Sequence, residues 1–136
     1  MKNKIRIGLV LLIVLYAMAC KDFLPFDQVS SFWVENKSDE LVYFLVSYQY
    51  PDTIIPDTYE KRYGVSAGSK RPYDRKEKWE DVFDKLPADT LSIFIFSSDT
   101  LDTYDWQTIR SGYKIMKRYD VSLDDLKQNQ WTITYP

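Results

Sequence analysis

Hydrophobic and polar positions fall into two regimes along the chain. Ile7 to Tyr16 is an almost unbroken apolar run, interrupted only by Gly8. From residue 29 onward, short apolar stretches alternate with polar residues and are separated by turn formers. In this second regime Val29–Asn36 reads as a strand through Val29, Phe32, Trp33 and Val34. Asn36-Lys37-Ser38-Asp39 is a polar turn, and Leu41–Tyr50 is a long apolar strand halted by Pro51. Two such runs around a four-residue turn predict a β-hairpin. Thr53–Tyr59 reads as a loop, Lys61–Ser66 as a short strand, and Lys70–Lys78 as a charged loop in which Pro72 opposes helix. Glu77–Leu86 has helical spacing, with Trp79, Val82, Phe83 and Leu86 on one face. Thr90–Phe96 is apolar on both faces of its second half, which predicts a central strand. Asp105 or Thr103 caps a helix reaching Tyr113, and Tyr113–Tyr119 reads as a further strand. Ser122 with Asp125 three residues on predicts the short helix Leu123–Gln128. Trp131, Ile133 and Tyr135 alternate with threonines in a last strand. The expected fold is mainly β (α+β): an antiparallel sheet or sandwich of about six strands with about three short helices, in one domain over residues 29–136.

The first regime has a different meaning. Lys2, Lys4 and Arg6 precede the apolar run, and Ala17, Met18 and Ala19 follow it directly before Cys20. Charged, then apolar, then small is the order of a secretory signal peptide. The run is about ten residues long, against the roughly 20 that span a bilayer. Residues 1–19 are therefore expected to be removed. Cys20, the single cysteine of the chain, sits where bacterial lipoproteins carry theirs, and the segment resembles their lipobox, with Ala17 where that motif prefers Leu. The resemblance implies cleavage between Ala19 and Cys20, a thioether-linked diacylglycerol on Cys20, and an acyl chain such as palmitate on the new amino terminus. A single acyl chain anchors only marginally and two or three hold durably. A free thiol just beyond an ordinary cleavage site is the alternative. Residues 20–28, broken by Pro25, read as a short tether that keeps the domain close to the membrane.

Charge and composition then narrow the chemistry. Removing residues 1–19 takes three of the 18 basic residues and none of the 20 acidic ones, leaving a net charge of −5. That balance disfavours nucleic acid, which needs concentrated Lys and Arg. The chain has no histidine, so it lacks the usual base near neutral pH and the commonest transition-metal ligand. No cofactor, metal site or catalytic motif is expected. Glu35, Glu60, Asp81 and Asp105 are the carboxylates formally available to a hydrolase, and nothing in their spacing selects a pair. Asp99, Asp102 and Asp105 recur every third residue, but the glycine and distal glutamate of a calcium loop are missing, and a solvated turn with a helix cap accounts for them. Lys70, Arg71, Arg75, Lys76 and Lys78 surround Tyr73, a pattern that can meet anionic glycans or headgroups, with a plain charged loop as the simpler account. Aromatic residues make up 16% of the chain, and Trp33, Tyr73, Trp79 and Trp106 are the candidate ligand-contacting aromatics.

Two stretches carry a family resemblance. FWVENKSDELVYFLVSYQYPDT resembles the opening, and DTLSIFIFSSDTLDTYDWQTIRSGYKIMKRYDVSLDDLKQNQWTITYP the ending, of small uncharacterised lipoproteins of Bacteroidota. The resemblance implies the cell envelope, with an outer-membrane anchor facing either the periplasm or the surface, and no mechanism. The expected function is a non-enzymatic, membrane-anchored binding or surface-assembly module whose partner is an envelope protein; a glycan-binding module and a carboxylate-based hydrolase are the alternatives.

Overall fold

Two sheets of opposite character organise the protein. The computed structural model describes residues 31–51, 54–57 and 63–136. Among them lie seven strands and four short helices: β1 (Ser31–Asn36), β2 (Val42–Ser47), β3 (Tyr63–Val65), β4 (Lys70–Asp74), α1 (Trp79–Phe83), β5 (Leu91–Ser97), α2 (Ser98–Thr103), α3 (Trp106–Ser111), β6 (Lys117–Val121), α4 (Leu123–Gln128) and β7 (Thr132–Tyr135). The mainly β, α+β class expected from the alternation is the class observed. The expected signal (1–19), the expected cleavage and lipid-attachment site at Ala19 and Cys20, and the expected tether (20–28) lie outside the described residues.

The larger sheet has the order β3-β2-β5-β6, antiparallel throughout. The smaller has the order β4-β1-β7, with β4 antiparallel and β7 parallel to β1. Phe32 and Val34 of β1 and Ile133 and Tyr135 of β7 share one core with Val42, Phe44 and Val46 of β2 and Leu91, Ile93 and Ile95 of β5. Trp79, Val82 and Phe83 of α1 and Leu126 of α4 complete it. A second core lies on the other face of the larger sheet, where Phe94 and Phe96 pack with Leu101 of α2, Ile109 of α3 and Ile55. Strand β5 contributes to both cores, and Leu91 to Phe96 are all buried. The central placement expected for Thr90–Phe96 follows from that two-sided apolarity.

The β1–β2 hairpin does not form. The two strands belong to different sheets, and the intervening turn carries the chain from one to the other. Their own patterns explain this. Strand β2 is apolar on both faces, since Tyr43 and Leu45 pack on the second core while Val42, Phe44 and Val46 fill the first. Strand β1 alternates Phe32 and Val34 with Ser31 and Glu35, which suits a sheet with one open face. Asn36 fixes the crossover. It is fully buried, donates to the carbonyls of Glu40 (2.7 Å) and Val65 (2.9 Å), and accepts from the backbone N–H and hydroxyl of Ser38 (3.0 and 2.7 Å).

The charged stretch Lys70–Lys78 is also corrected, because its first half is strand β4. Proline is tolerated there by register. Hydrogen-bonded pairs alternate along an antiparallel ladder. The Asn36 N–H bonds to Ser69 O, which places Trp33–Pro72 at a non-hydrogen-bonded position. The missing N–H of Pro72 therefore faces outward from an edge strand, where no partner is required.

Local capping follows the sequence more closely. Ser122 accepts from the backbone N–H of Asp125 at 3.1 Å, and Asp125 accepts from that of Ser122 at 2.8 Å, a complete capping box for α4. Asp105 caps α3 through Thr108 N at 3.0 Å. Helix α2 was hidden inside the expected solvated turn; Ser97 caps it by accepting from Thr100 N. Helix α1 is shorter than Glu77–Leu86: Lys78 is extended at its start, Leu86 is extended before Pro87, and Ala88 and Asp89, with φ of 51° and 47°, then turn the chain toward β5.

Candidate functional site

A cleft opens where β2 ends, β3 begins and β4 runs out. Its volume is about 900 Å3, and its walls include Tyr48, Tyr63, Tyr73, Asp74, Arg75 and Glu77. The size falls within the ~300–1,000 Å3 typical of small-ligand sites. Tyr73 forms the base. Its ring is the hub of an aromatic group, with centroids 5.3 Å from Phe32, 5.3 Å from Tyr63, 6.2 Å from Phe44 and 6.2 Å from Trp79. Its hydroxyl meets that of Tyr48 at 2.9 Å. Whichever oxygen donates, the pair retains a second hydroxyl proton and free lone pairs. Burial, joined by the Tyr48 hydroxyl, pushes the Tyr73 phenol well above its ordinary range. Tyr73 thus stays neutral at physiological pH and acts as a hydrogen-bonding group rather than a base.

Arg75 forms one wall. Its guanidinium lies 4.8 Å from the Tyr48 ring centroid and 5.9 Å from that of Trp79, and pairs with Glu77 at 3.2 Å. Burial works against its charge, but the Tyr48 and Tyr73 oxygens and Glu77 outweigh it and raise the Arg75 pKa. Arg71 is engaged as well, with its guanidinium 5.3 Å from the Tyr63 centroid and a bond to Gly64 O at 3.0 Å. Lys70 pairs with Glu35 at 3.5 Å, whereas Lys76 and Lys78 are exposed. The five cations flanking Tyr73 therefore do not form one basic patch.

Opposite them, Pro56 reaches the cleft from a segment held to α3. Arg110 Nε donates to Ile55 O at 2.7 Å, its Nη1 pairs with Asp57, and Trp106 Nε1 donates to the carbonyls of Pro56 and Asp57 at 3.2 Å each. Trp106 is thus a half-buried clamp. A smaller hollow of about 240 Å3 lies between β6, α4 and β7, near the 3.0 Å bond from the Tyr119 hydroxyl to Thr134 O.

The four candidate aromatics separate. Tyr73 lines the cleft. Trp79 is completely buried, so its role as a ligand contact is corrected to core packing. Its indole N–H has no hydrogen-bond partner among the described residues. Trp33 is 41% exposed on the outer face of the smaller sheet and stands apart from the cleft lining. Tyr48 and Tyr63 were not singled out from the sequence, and Arg75 stood there only as one of the basic residues around Tyr73, because only the meeting of three strand ends brings the three together. Of the carboxylates, Glu35 is engaged by Lys37, Lys70 and Thr134; Asp105 caps α3; Asp81 lies exposed in the first turn of α1; and Glu60 is outside the described residues. Asp99 and Asp102 belong to α2, and no group of three or more metal-ligating side chains occurs among the described residues. No described helix is long and apolar enough to cross a membrane.

No protein family, curated protein or solved structure matches the chain.

Proposed function

We propose that this chain is a lipid-anchored envelope protein that binds a partner protein, without catalysis, by holding an extended segment of it in the Tyr48–Tyr73–Arg75 cleft. The observation that carries this reading is the composition of the cleft. Its lining places both signs of charge, Asp74 and Glu77 against Arg75 and Lys76, beside apolar Leu45, Val46 and Pro56. A polypeptide offers all three kinds of partner group at once: amide dipoles, charged side chains and apolar side chains. A sugar would need a free aromatic face, and here the rings are already engaged. Tyr48 carries Arg75, and Tyr63 is stacked on Phe44 at 5.0 Å with Arg71 beside it. The anchor rests on the amino-terminal pattern that ends at Cys20.

Two measurements test the proposal. Intact-mass spectrometry of protein extracted from membranes should return the chain beginning at Cys20 with diacylglycerol and acyl chains attached. An unprocessed mass of 16.2 kDa overturns the anchor. Affinity capture from detergent-solubilised envelopes should recover a stoichiometric protein with the native chain and lose it with Lys76→Glu, which reverses charge at the cleft without touching the core. Equal recovery with both, or no stoichiometric partner with either, overturns the cleft.

A further inference from the structure

The outer face of the smaller sheet is a second surface with its own chemistry. Alternation along the strands points Ser31, Trp33 and Glu35 of β1 away from the core, together with Lys70, Pro72 and Asp74 of β4 and Thr132 and Thr134 of β7. Trp33 stands at the centre, with Pro72 and Thr132 as its cross-strand neighbours. The Trp33–Pro72 pair is non-hydrogen-bonded, the arrangement that brings side chains closest.

The charges on this face are compensated within it. Glu35 lies 3.5 Å from Lys70 and 3.8 Å from Lys37, and accepts from the Thr134 hydroxyl at 3.1 Å. Desolvation opposes ionisation of Glu35, but the Thr134 bond and the two lysines prevail and lower its pKa. Asp74 accepts from the Ser31 hydroxyl at 2.5 Å. What remains is one large aromatic side chain, 41% exposed, set among hydroxyls, the Glu35 ion pairs and Asp74. Glu35 and Asp74 are matched by Lys70 and Lys37, so the face carries no net charge to attract an ion.

We infer that the Trp33 face is a binding platform for a neutral carbohydrate, centred on Trp33 and meeting the cleft only at Asp74. A pyranose has an apolar C–H face the size of an indole ring and a girdle of hydroxyls. Trp33 would stack on the first, while Thr132, Thr134 and the Glu35–Lys70 pair would bond the second. Isothermal titration calorimetry of the full-length chain in detergent, with soluble xylan, galactomannan and β-glucan as probes, tests the inference. At least one probe is expected to bind saturably. Trp33→Ala should weaken it by about tenfold or more while lowering the thermal midpoint by no more than about 5 °C, Trp33→Tyr should restore part of the affinity, and Lys76→Glu at the cleft should leave it unchanged. Absence of saturable binding by all three probes overturns the platform, as does undiminished binding by Trp33→Ala. A concentration-dependent dimer abolished by Trp33→Ala would assign the face to a second copy and overturn it equally. Since Lys76→Glu acts on the other site, failure of the peptide cleft and failure of the platform give different results.

Discussion

The larger sheet is covered on both faces, by the smaller sheet on one side and by α2, α3 and Ile55 on the other. The smaller sheet is covered on one face, and its other carries Trp33, Glu35, Lys70 and Thr134. The difference separates two tasks. In a doubly covered sheet nearly every side chain is committed to packing, so ligands can be met only where strands end, and the cleft lies at such an end. In a singly covered sheet alternate side chains are free of packing, and an exposed ring there costs the fold little.

Truncating the larger sheet should give the largest effect. Phe94 is fully buried on the second core. Phe94→Ala is expected to destabilise by about 3–5 kcal/mol in urea unfolding, whereas Trp33→Ala on the open face should cost about 1 kcal/mol or less. Similar losses at the two sites would abolish the contrast. Next comes the crossover. Asn36→Ala leaves the buried carbonyl of Val65 and the part-buried one of Glu40 without their side-chain donor, and a loss of about 1–3 kcal/mol is expected in the same assay. A neutral result would mean that backbone pairing alone carries the chain between sheets.

The smallest effect concerns a cap outside both sheets. Ser122→Ala should cost about 1 kcal/mol at pH 7. The hydrogen bonds from the Ser122 side chain and then its backbone hold the Asp125 carboxyl below its ordinary range. A carboxyl lowered by folding contributes stability above the unfolded pKa of about 3.9 and loses it as pH falls through the lower folded value. The cost of Ser122→Ala should therefore shrink below about pH 4, as urea midpoints at pH 7 and pH 3 would show. A cost that grows with acidification would reverse the assigned sign.

Local signals were legible where physics is local. The capping box Ser122–Asp125, the cap Asp105 and the two-sided strand Leu91–Ser97 were readable because a cap needs only three residues and a central strand needs only its own apolarity. The hairpin expectation failed because partner choice is not local. A polar turn such as Asn36–Asp39 can lead to a neighbour in the same sheet or across to another, and the bonds of the buried Asn36 side chain decide which. Strand β4 was missed because Pro72 is an obstacle only in a position that must donate, and register alone tells that position from a harmless one. The same limit applies to the candidate aromatics. Trp33 and Trp79 both sit in apolar patterns, yet one is 41% exposed and the other completely buried.

The sequence by itself determined the β-rich class, the central strand, the caps and the amino-terminal pattern ending at Cys20, because each depends on the spacing of a few neighbouring residues. Only the tertiary structure decided that β1 and β2 part into separate sheets, that β7 runs parallel to β1, that Tyr48 meets Tyr73, and that Trp33 is the tryptophan left facing outward. Those outcomes depend on which distant segments bury their surfaces against one another, which a chain specifies through its whole core and not through any one stretch of letters.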